Sequence, residues 1–122
     1  MTFNFERFGM QETLNKQEKL GKISLKNLIE DYAYQDESIL IKTILRDEKV
    51  NIALLLVDSG QGLIEHAAST EAMVYIVEGE IKFTISNQNY SLIKGSFLKL
   101  EAGVPHSFIA VEKTRMLLII MT

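Results

Sequence analysis

The stretch Gly60-Gln61-Gly62-Leu63-Ile64-Glu65-His66-Ala67-Ala68, followed later in the chain by Gly103-Val104-Pro105-His106, decides how this sequence is interpreted. His66 and His106 are the only two histidines of the chain. Each follows a turn that contains glycine, and each stands among apolar residues typical of a strand. Because neutral imidazole is the commonest metal ligand in proteins, the two histidines are candidate metal ligands.

The composition predicts one globular domain. The chain has 122 residues, of which 47% are hydrophobic and 24% are charged, enough for one domain with a substantial core. A formal net charge of -3 gives no reason to expect nucleic acid or a membrane surface as a partner. The lack of cysteine excludes disulfides, thiolate metal sites and a cysteine nucleophile. Since no apolar run is long enough to span a membrane and no signal-peptide pattern opens the chain, we expect a cytoplasmic protein.

The first part of the chain differs from the rest. Residues 1–22 are polar and charged without a lasting hydrophobic period, so we expect an N-terminal arm there and a single domain over residues 23–122. Residues 24–31 predict one short helix, with Ser24 as its N-cap and three apolar residues on one face.

From residue 38 onward the sequence predicts β-strands. Runs of β-branched and aliphatic residues are separated by turns rich in glycine, asparagine and charged residues, at spacings of about 8–12 residues. This spacing predicts an all-β, antiparallel sandwich or barrel. The predicted strands cover residues 39–45, 52–57, 73–77, 81–86, 90–93, 97–100, 106–111 and 115–121.

Two of these strands are apolar on both faces, and such strands are usually covered on both sides. Met73, Tyr75 and Val77 share the face that would lie outside a barrel. An exposed apolar face of this extent is unusual on a monomer. We therefore expect a two-fold homodimer, with Tyr75 and the C-terminal strand at or near its interface.

The segments that carry the histidines resemble the two motifs of the cupin superfamily of small jelly-roll barrels. The first motif is G-x5-H-x-H-x3,4-E-x6-G, which Gly60, His66 and Gly79 match. The segment Val74-Tyr75-Ile76-Val77-Glu78-Gly79-Glu80 is typical of the strand and turn at its end. The resemblance implies an antiparallel double-stranded β-helix.

The second motif of the family is G-x5-P-x-G-x2-H-x3-N. Gly95, Gly103 and His106 match it, whereas Glu101 replaces the proline and Ala110 replaces the asparagine. Strand order and spacing follow the family from residue 38 to residue 121. Because cupins include enzymes, storage proteins and regulators, the resemblance predicts the fold and leaves the activity open.

Cupin metal sites commonly use three histidines and one glutamate, and the resemblance carries only His66 and His106 over to this chain. The second histidine position is Ala68 and the glutamate position is Ala72, neither of which can bind a metal. Glu71 would point to the opposite face of a regular strand. Since metal sites usually need three or more protein ligands, we expect either no cofactor or a weakly bound divalent transition metal at the two histidines.

Three functions remain open from the sequence. The one we favour is a small cupin of unassigned activity that binds a small organic molecule, with the histidines as polar groups in an apolar pocket. The alternatives are a metal-dependent oxygenase or isomerase with an incomplete two-histidine site, and a structural or interaction protein with a vestigial site. Two alanines at ligand positions predict a cavity open to solvent. The expected pocket residues are His66, His106, Ala68, Ala72, Val74 and Phe108.

Overall fold

The computed structural model describes residues 11–13 and 24–121, which form ten strands and no helix. The described residues therefore contain no helix that is long and apolar enough to span a membrane. The all-β prediction is confirmed. Each of the eight predicted strands is present, with ends that differ from the prediction by at most two residues, whereas the strands Gln11–Thr13 and Gly62–His66 were not among those predicted. The strands are β1 (Gln11–Thr13), β2 (Ile39–Arg46), β3 (Val50–Val57), β4 (Gly62–His66), β5 (Ala72–Glu78), β6 (Glu80–Ile85), β7 (Gln88–Ile93), β8 (Phe97–Leu100), β9 (His106–Ala110) and β10 (Thr114–Met121).

The strands form two sheets. The larger has the order β1-β2-β3-β10-β5-β8, and the smaller has the order β4-β9-β6-β7. Every described pair is antiparallel except β1 with β2, which is parallel. Neighbours that are far apart in sequence, such as β3 with β10 and β4 with β9, are the crossovers of a jelly roll. The predicted jelly-roll topology is confirmed.

The core lies between the inner faces of the two sheets. Strand β5 shows the alternation, since Ala72, Val74 and Ile76 are buried while Met73 and Tyr75 are more exposed. Ile81 and Phe83 contribute from the smaller sheet and are almost completely buried. Full burial of one large apolar side chain stabilises a fold by about 1.5–3 kcal/mol, so this core is the main source of stability.

The outer face of the larger sheet is partly covered by residues 24–37, which we call the strap. Leu40, Leu54 and Leu56 are buried on this face, against strap residues that include Leu28 and Tyr32. Val77 packs against the same cluster. We expected a second subunit to cover Val77, but the cover comes from this cluster of the same chain. Tyr75, on the same face, remains 39% exposed.

Arg115 fastens the strap to the barrel. Its side chain is buried, and its Nε donates a 2.6 Å hydrogen bond to Oε2 of Glu78. Its Nη1 donates to the backbone carbonyls of Leu28 and Tyr32, at 3.0 and 2.8 Å. A buried guanidinium is stable only when it is paired and hydrogen-bonded, and here both conditions are met.

Tyr34 completes this cluster. Its hydroxyl donates to Oε2 of Glu78 across 2.7 Å, and its ring lies 4.6 Å from the Arg115 guanidinium. The hydrogen bond from Tyr34, with help from Arg115, holds the pKa of Glu78 below its usual range. Burial and the Glu78 carboxylate together raise the pKa of Tyr34. The cluster is therefore an ionised carboxylate held by a neutral phenol and a guanidinium.

The helix predicted over residues 24–31 is wrong, because the structure has only one helical turn there. The N–H of Asp31 donates to the carbonyl of Asn27, and the side-chain oxygen of Asn27 accepts the N–H groups of Ile29 and Glu30. Leu25 is 91% exposed, so the predicted apolar face has no complete surface to pack on. A short helix without such packing is not stable, and the Asn27 side chain caps the turn.

Most of the predicted arm lies outside the described residues. Of residues 1–22 the structure describes only β1, whose Gln11 aligns with Leu40 of β2. The boundary between arm and domain stays a prediction.

Candidate functional site

The first histidine is placed by an irregularity in β4. Leu63 aligns with Phe108 of β9 and His66 aligns with His106, so two residues of β4 lie opposite one residue of β9. In a regular strand, residues three apart point to opposite faces, and the bulge allows both Leu63 and His66 to face the interior. Ile64, within the bulge, is 82% exposed.

The second histidine is fixed by its own backbone. His106 begins β9, is buried, and has its Nδ1 at 2.9 Å from the carbonyl oxygen of Val104. A carbonyl can only accept a hydrogen bond, so Nδ1 carries the proton and donates. In the neutral ring, Nε2 then holds the free lone pair. The hydrogen bond thus sets both the orientation and the tautomer of His106.

A tight turn positions this histidine. The N–H of Val104 donates to the carbonyl of Glu101, and Gly103 within the turn has a φ of 82°. The carbonyl of the next residue, Pro105, accepts the N–H of Ser86 in the turn between β6 and β7. The glycine spacing singled out in the sequence is therefore the spacing of the turn that presents His106.

The two imidazole rings meet. Their centroids lie 4.3 Å apart with an angle of 61° between the ring planes, an edge-to-face contact. His66 is partly exposed as a residue, but both of its ring nitrogens are buried, and His106 is buried as a whole, so the two rings lie inside the barrel.

A cavity of about 30 Å³ lies beside the pair. All six residues predicted for the pocket line it, so the structure brings His66, His106, Ala68, Ala72, Val74 and Phe108 together. Sequence reasoning missed six further lining residues, which are Leu55, Leu63, Phe83, Leu100, Met116 and Leu118. Phe83 could have been found from the alternation of its strand, whereas Leu55, Met116 and Leu118 lie in continuous apolar runs that give no such signal.

The cavity is smaller than two alanines at ligand positions led us to expect. One water needs about 10–15 Å³ of such space, so the cavity has room for about two water-sized groups. Phe83 and Phe108, with ring centroids 5.3 Å apart, fill much of the interior. Ala68 is partly exposed whereas Ala72 and Val74 are buried, so the cavity is accessible from the end that holds His66 and Ala68.

The residues of the site do not make a complete metal centre. Across residues 11–13 and 24–121, no group of three or more histidine, cysteine, aspartate or glutamate side chains could hold an ion. Glu71 forms a salt bridge with Lys99, with Oε2 at 3.4 Å from Nζ, and Glu65 is exposed. Neither carboxylate replaces a ligand at Ala68 or Ala72, so two imidazoles are the whole donor set that the described residues offer.

The fold and the site define the class of this protein: a small jelly-roll barrel with two inward histidines at one end. Residues 53–122 match the family model of the Cupin domain, which is more than half of the chain. The chain belongs to the cupin family. No curated protein matches it significantly.

Several solved structures share the fold. A conserved protein of unknown function from Streptococcus pyogenes is 26% identical with a TM-score of 0.75, over 84% of this chain and 90% of that one. An RmlC-like cupin from Desulfovibrio desulfuricans is 22% identical with a TM-score of 0.73, over 81% of this chain and 96% of that one. KdgF from Halomonas sp. is 16% identical with a TM-score of 0.65, over 74% and 87%. These similarities establish a cupin fold and leave the activity unassigned.

Proposed function

We propose that this cupin binds a small organic molecule in its barrel, with His66 and His106 as the polar groups that orient it. The observation that supports the proposal is the contact of the two imidazoles, 4.3 Å between centroids, beside an otherwise apolar cavity. Ligand sites are commonly apolar clefts with a few convergent polar groups. The cavity volume of about 30 Å³ limits the buried part of the ligand to a few non-hydrogen atoms.

Nuclear magnetic resonance with small probes tests the proposal. We would titrate the full chain with alcohols, amides and carboxylic acids of two to five carbons, following the Cε1–H signals of both histidines and the methyl signals of Ala68 and Ala72. We expect at least one probe to shift these four signals together and saturably. No saturable shift from any probe would contradict the proposal.

A pair of variants separates cavity binding from surface binding. Ala72→Val adds two methyl groups to a buried lining residue and should abolish the shifts of the histidine signals. Ile109→Val removes one methylene group from a residue of β9 that is 44% exposed, and it should leave binding unchanged. Equal binding by both variants would place the probes outside the barrel.

A weakly bound divalent transition metal at the two histidines is the second candidate. The hydrogen bond from Nδ1 of His106 to the Val104 carbonyl favours it, because histidines that bind metals usually donate their other ring N–H in this way. Titration with cobalt(II) tests it, and saturable binding that is lost in both His66→Ala and His106→Ala would support it. The incomplete donor set leads us to expect weak binding.

The assembly that we propose is a homodimer through the outer face of the larger sheet. Phe97, Tyr75 and Leu117 align across three neighbouring strands of that face, and Phe97 and Tyr75 are 60% and 39% exposed. Sedimentation velocity at micromolar concentration should give the mass of a dimer, and Tyr75→Lys should give a monomer. Ile93→Lys, at a 55% exposed position of the smaller sheet, should remain dimeric. A monomeric wild type would overturn the proposal.

We propose that the protein is cytoplasmic and that neither nucleic acid nor a membrane is among its partners. A formal net charge of -3 supports the absence of both partners, since phosphate-rich surfaces attract basic proteins. Fractionation of the producing cells tests the location, and recovery of the protein with the membrane pellet would contradict it.

A further inference from the structure

We infer that the ligand group that meets Nε2 of His106 is an uncharged hydrogen-bond donor, such as a hydroxyl or an amide N–H, and that this position excludes carboxylates and phosphates. This inference rests on the proposed function and adds the chemical class of the ligand. It follows from the tautomer of His106 and from the charges that surround the cavity.

The tautomer of His106 determines whether the ligand has to donate or to accept a hydrogen bond at this ring. Its Nδ1–H is used by the carbonyl of Val104, 2.9 Å away, and the tight turn before β9 holds that carbonyl in place. Within the described residues, no protein group hydrogen-bonds to Nε2 of His106. In the neutral ring this atom is an acceptor, so a ligand that satisfies it has to donate a hydrogen atom.

The surroundings of the cavity disfavour an anion. None of the twelve described lining residues is a lysine, an arginine or an acidic residue. Arg115 lies on the outer face of the larger sheet and is occupied by Glu78 and two backbone carbonyls. Lys99 pairs with Glu71, also away from the cavity. A carboxylate entering this space would lose its hydration without gaining a cation.

An anion at Nε2 would also require His106 to add a proton. A carboxylate has only acceptor atoms, and the acceptor lone pair of the ring would face them. The ring cannot move its existing proton to Nε2 without breaking the hydrogen bond to Val104. A neutral donor needs neither change.

Three probes of nearly equal shape separate the possibilities. Butanamide is neutral and donates, butanoate is an anion that only accepts, and 2-pentanone is neutral and only accepts. Each would be titrated into the full chain at pH 7.5, with the histidine Cε1–H signals as readout. We expect butanamide to bind more tightly than the other two by about tenfold, the value for one hydrogen bond to a neutral group in a buried site.

The outcomes distinguish this inference from the proposed function. If butanamide binds best, both are supported. If butanoate or 2-pentanone binds as tightly as butanamide, the inference is overturned while cavity binding stands. If none of the three binds while other small probes do, the inference is overturned in the same way. If no probe of any kind binds, the proposed function fails and the inference fails with it.

The nitrogen-15 signals of His106 give a readout that needs no ligand. Nδ1 should have the chemical shift of a protonated nitrogen, and Nε2 that of a nitrogen with a free lone pair. The reverse assignment at pH 7.5 would overturn the inference. His106→Phe keeps a ring but removes both nitrogens, and it should reduce the preference for butanamide over 2-pentanone to less than about twofold. If this variant does not fold, the nitrogen-15 chemical shifts of the wild type still test the tautomer of His106 on which the inference depends.

Discussion

The backbone N–H of Gly103 donates a 2.8 Å hydrogen bond to the carbonyl oxygen of Ala68. This bond joins the turn before β9, which presents His106, to the loop after β4, which follows His66. The distance between the two imidazoles is therefore constrained by main-chain bonds on both sides, in addition to the β4–β9 pairing. A site whose polar groups are held by backbone keeps its geometry when its ligand changes.

Gly103 allows a prediction about this link. Its φ of 82° is costly for a residue with a side chain, although nothing lies within 4 Å of the Cβ that alanine would add. Gly103→Ala should therefore lower the free energy of unfolding by about 1–2 kcal/mol through backbone strain alone. Gly103→Asn, whose side chain tolerates this conformation, should lose less. Denaturant titration of both variants checks the order, and equal losses would argue against a strained backbone.

Gly62 matters for a different reason, which is the close approach of β4 to β9. A Cβ at residue 62 would contact the carbonyl oxygen of Phe108 and lie 3.0 Å from Cα of Ile109. Gly62→Ala should push the strands apart and cost about 1–3 kcal/mol. Ile64→Ala, two residues along the same strand at an exposed position, should change the unfolding free energy by less than about 0.5 kcal/mol. The contact of the imidazoles should weaken only in the first variant.

Rebuilding the ligand set tests the register of the site. Ala68→His together with Ala72→Glu places four potential ligands around the cavity, because residues 66, 68, 72 and 106 all line it. Cobalt(II) or nickel(II) should bind this variant at least about tenfold more tightly than the wild type. The control is Ala67→His with Ala72→Glu, since Ala67 is exposed. Equal affinity in variant and wild type would show either that the assigned register is wrong or that the cavity of about 30 Å³ cannot accommodate the two added side chains.

The strap cluster predicts a pH dependence. The pKa of Glu78 is lowered in the folded protein, mainly by the hydrogen bond from Tyr34. Its contribution to stability is therefore complete above the unfolded value of about 4.3 and is lost as the pH falls through the lower folded value. Unfolding free energies between about pH 5 and pH 3 should decline less steeply in Glu78→Gln than in the wild type. Glu101→Gln, at an exposed position outside the cluster, should follow the wild type.

Two asparagines should respond to substitution with opposite signs. The side-chain oxygen of Asn27 accepts two backbone N–H groups in the strap, so Asn27→Ala should destabilise the protein by about 1 kcal/mol. The side-chain oxygen of Asn51 is buried without a hydrogen-bond partner in the described structure, so Asn51→Val should stabilise it by about 1 kcal/mol. Thermal unfolding measures both, and destabilisation by Asn51→Val would show that this oxygen is satisfied in solution.

The strands were predictable because their side chains alternate and their turns use residues with distinct backbone preferences. Residues 81–86 show this well, since Ile81 and Phe83 are buried between exposed or half-buried neighbours. The strap was not predictable in the same way. A helix over residues 24–31 would need a surface against which its apolar face can pack. The exposure of Leu25 depends on the tertiary structure and cannot be read from the local sequence pattern.

Half of the cavity lining was predictable from the sequence, and the size of the cavity was not. Two inward histidines and two alanines followed from the motif spacing, and the structure places all of them on one cavity. Its small volume depends on how Met116, Leu118 and Phe83 from other strands fill the barrel, which is a property of three-dimensional packing. The role of Arg115 was missed for a related reason: its partners at residues 28 and 32 are backbone carbonyls, which leave no trace in the side-chain pattern.

Arg115 holds the strap through peptide groups, and every amino acid supplies the same peptide group. The Arg115 part of the docking of residues 24–37 therefore depends on the path of the main chain, whereas the packing of Leu28 and Tyr32 and the hydrogen bond of Tyr34 depend on the side chains. Exposed strap positions such as Leu25 and Ile29 are open to replacement, by natural drift or by design, while the anchor stays in place. Residues at the exposed positions of the strap can therefore be substituted without changing the histidine site, which lies on the opposite side of the sheet.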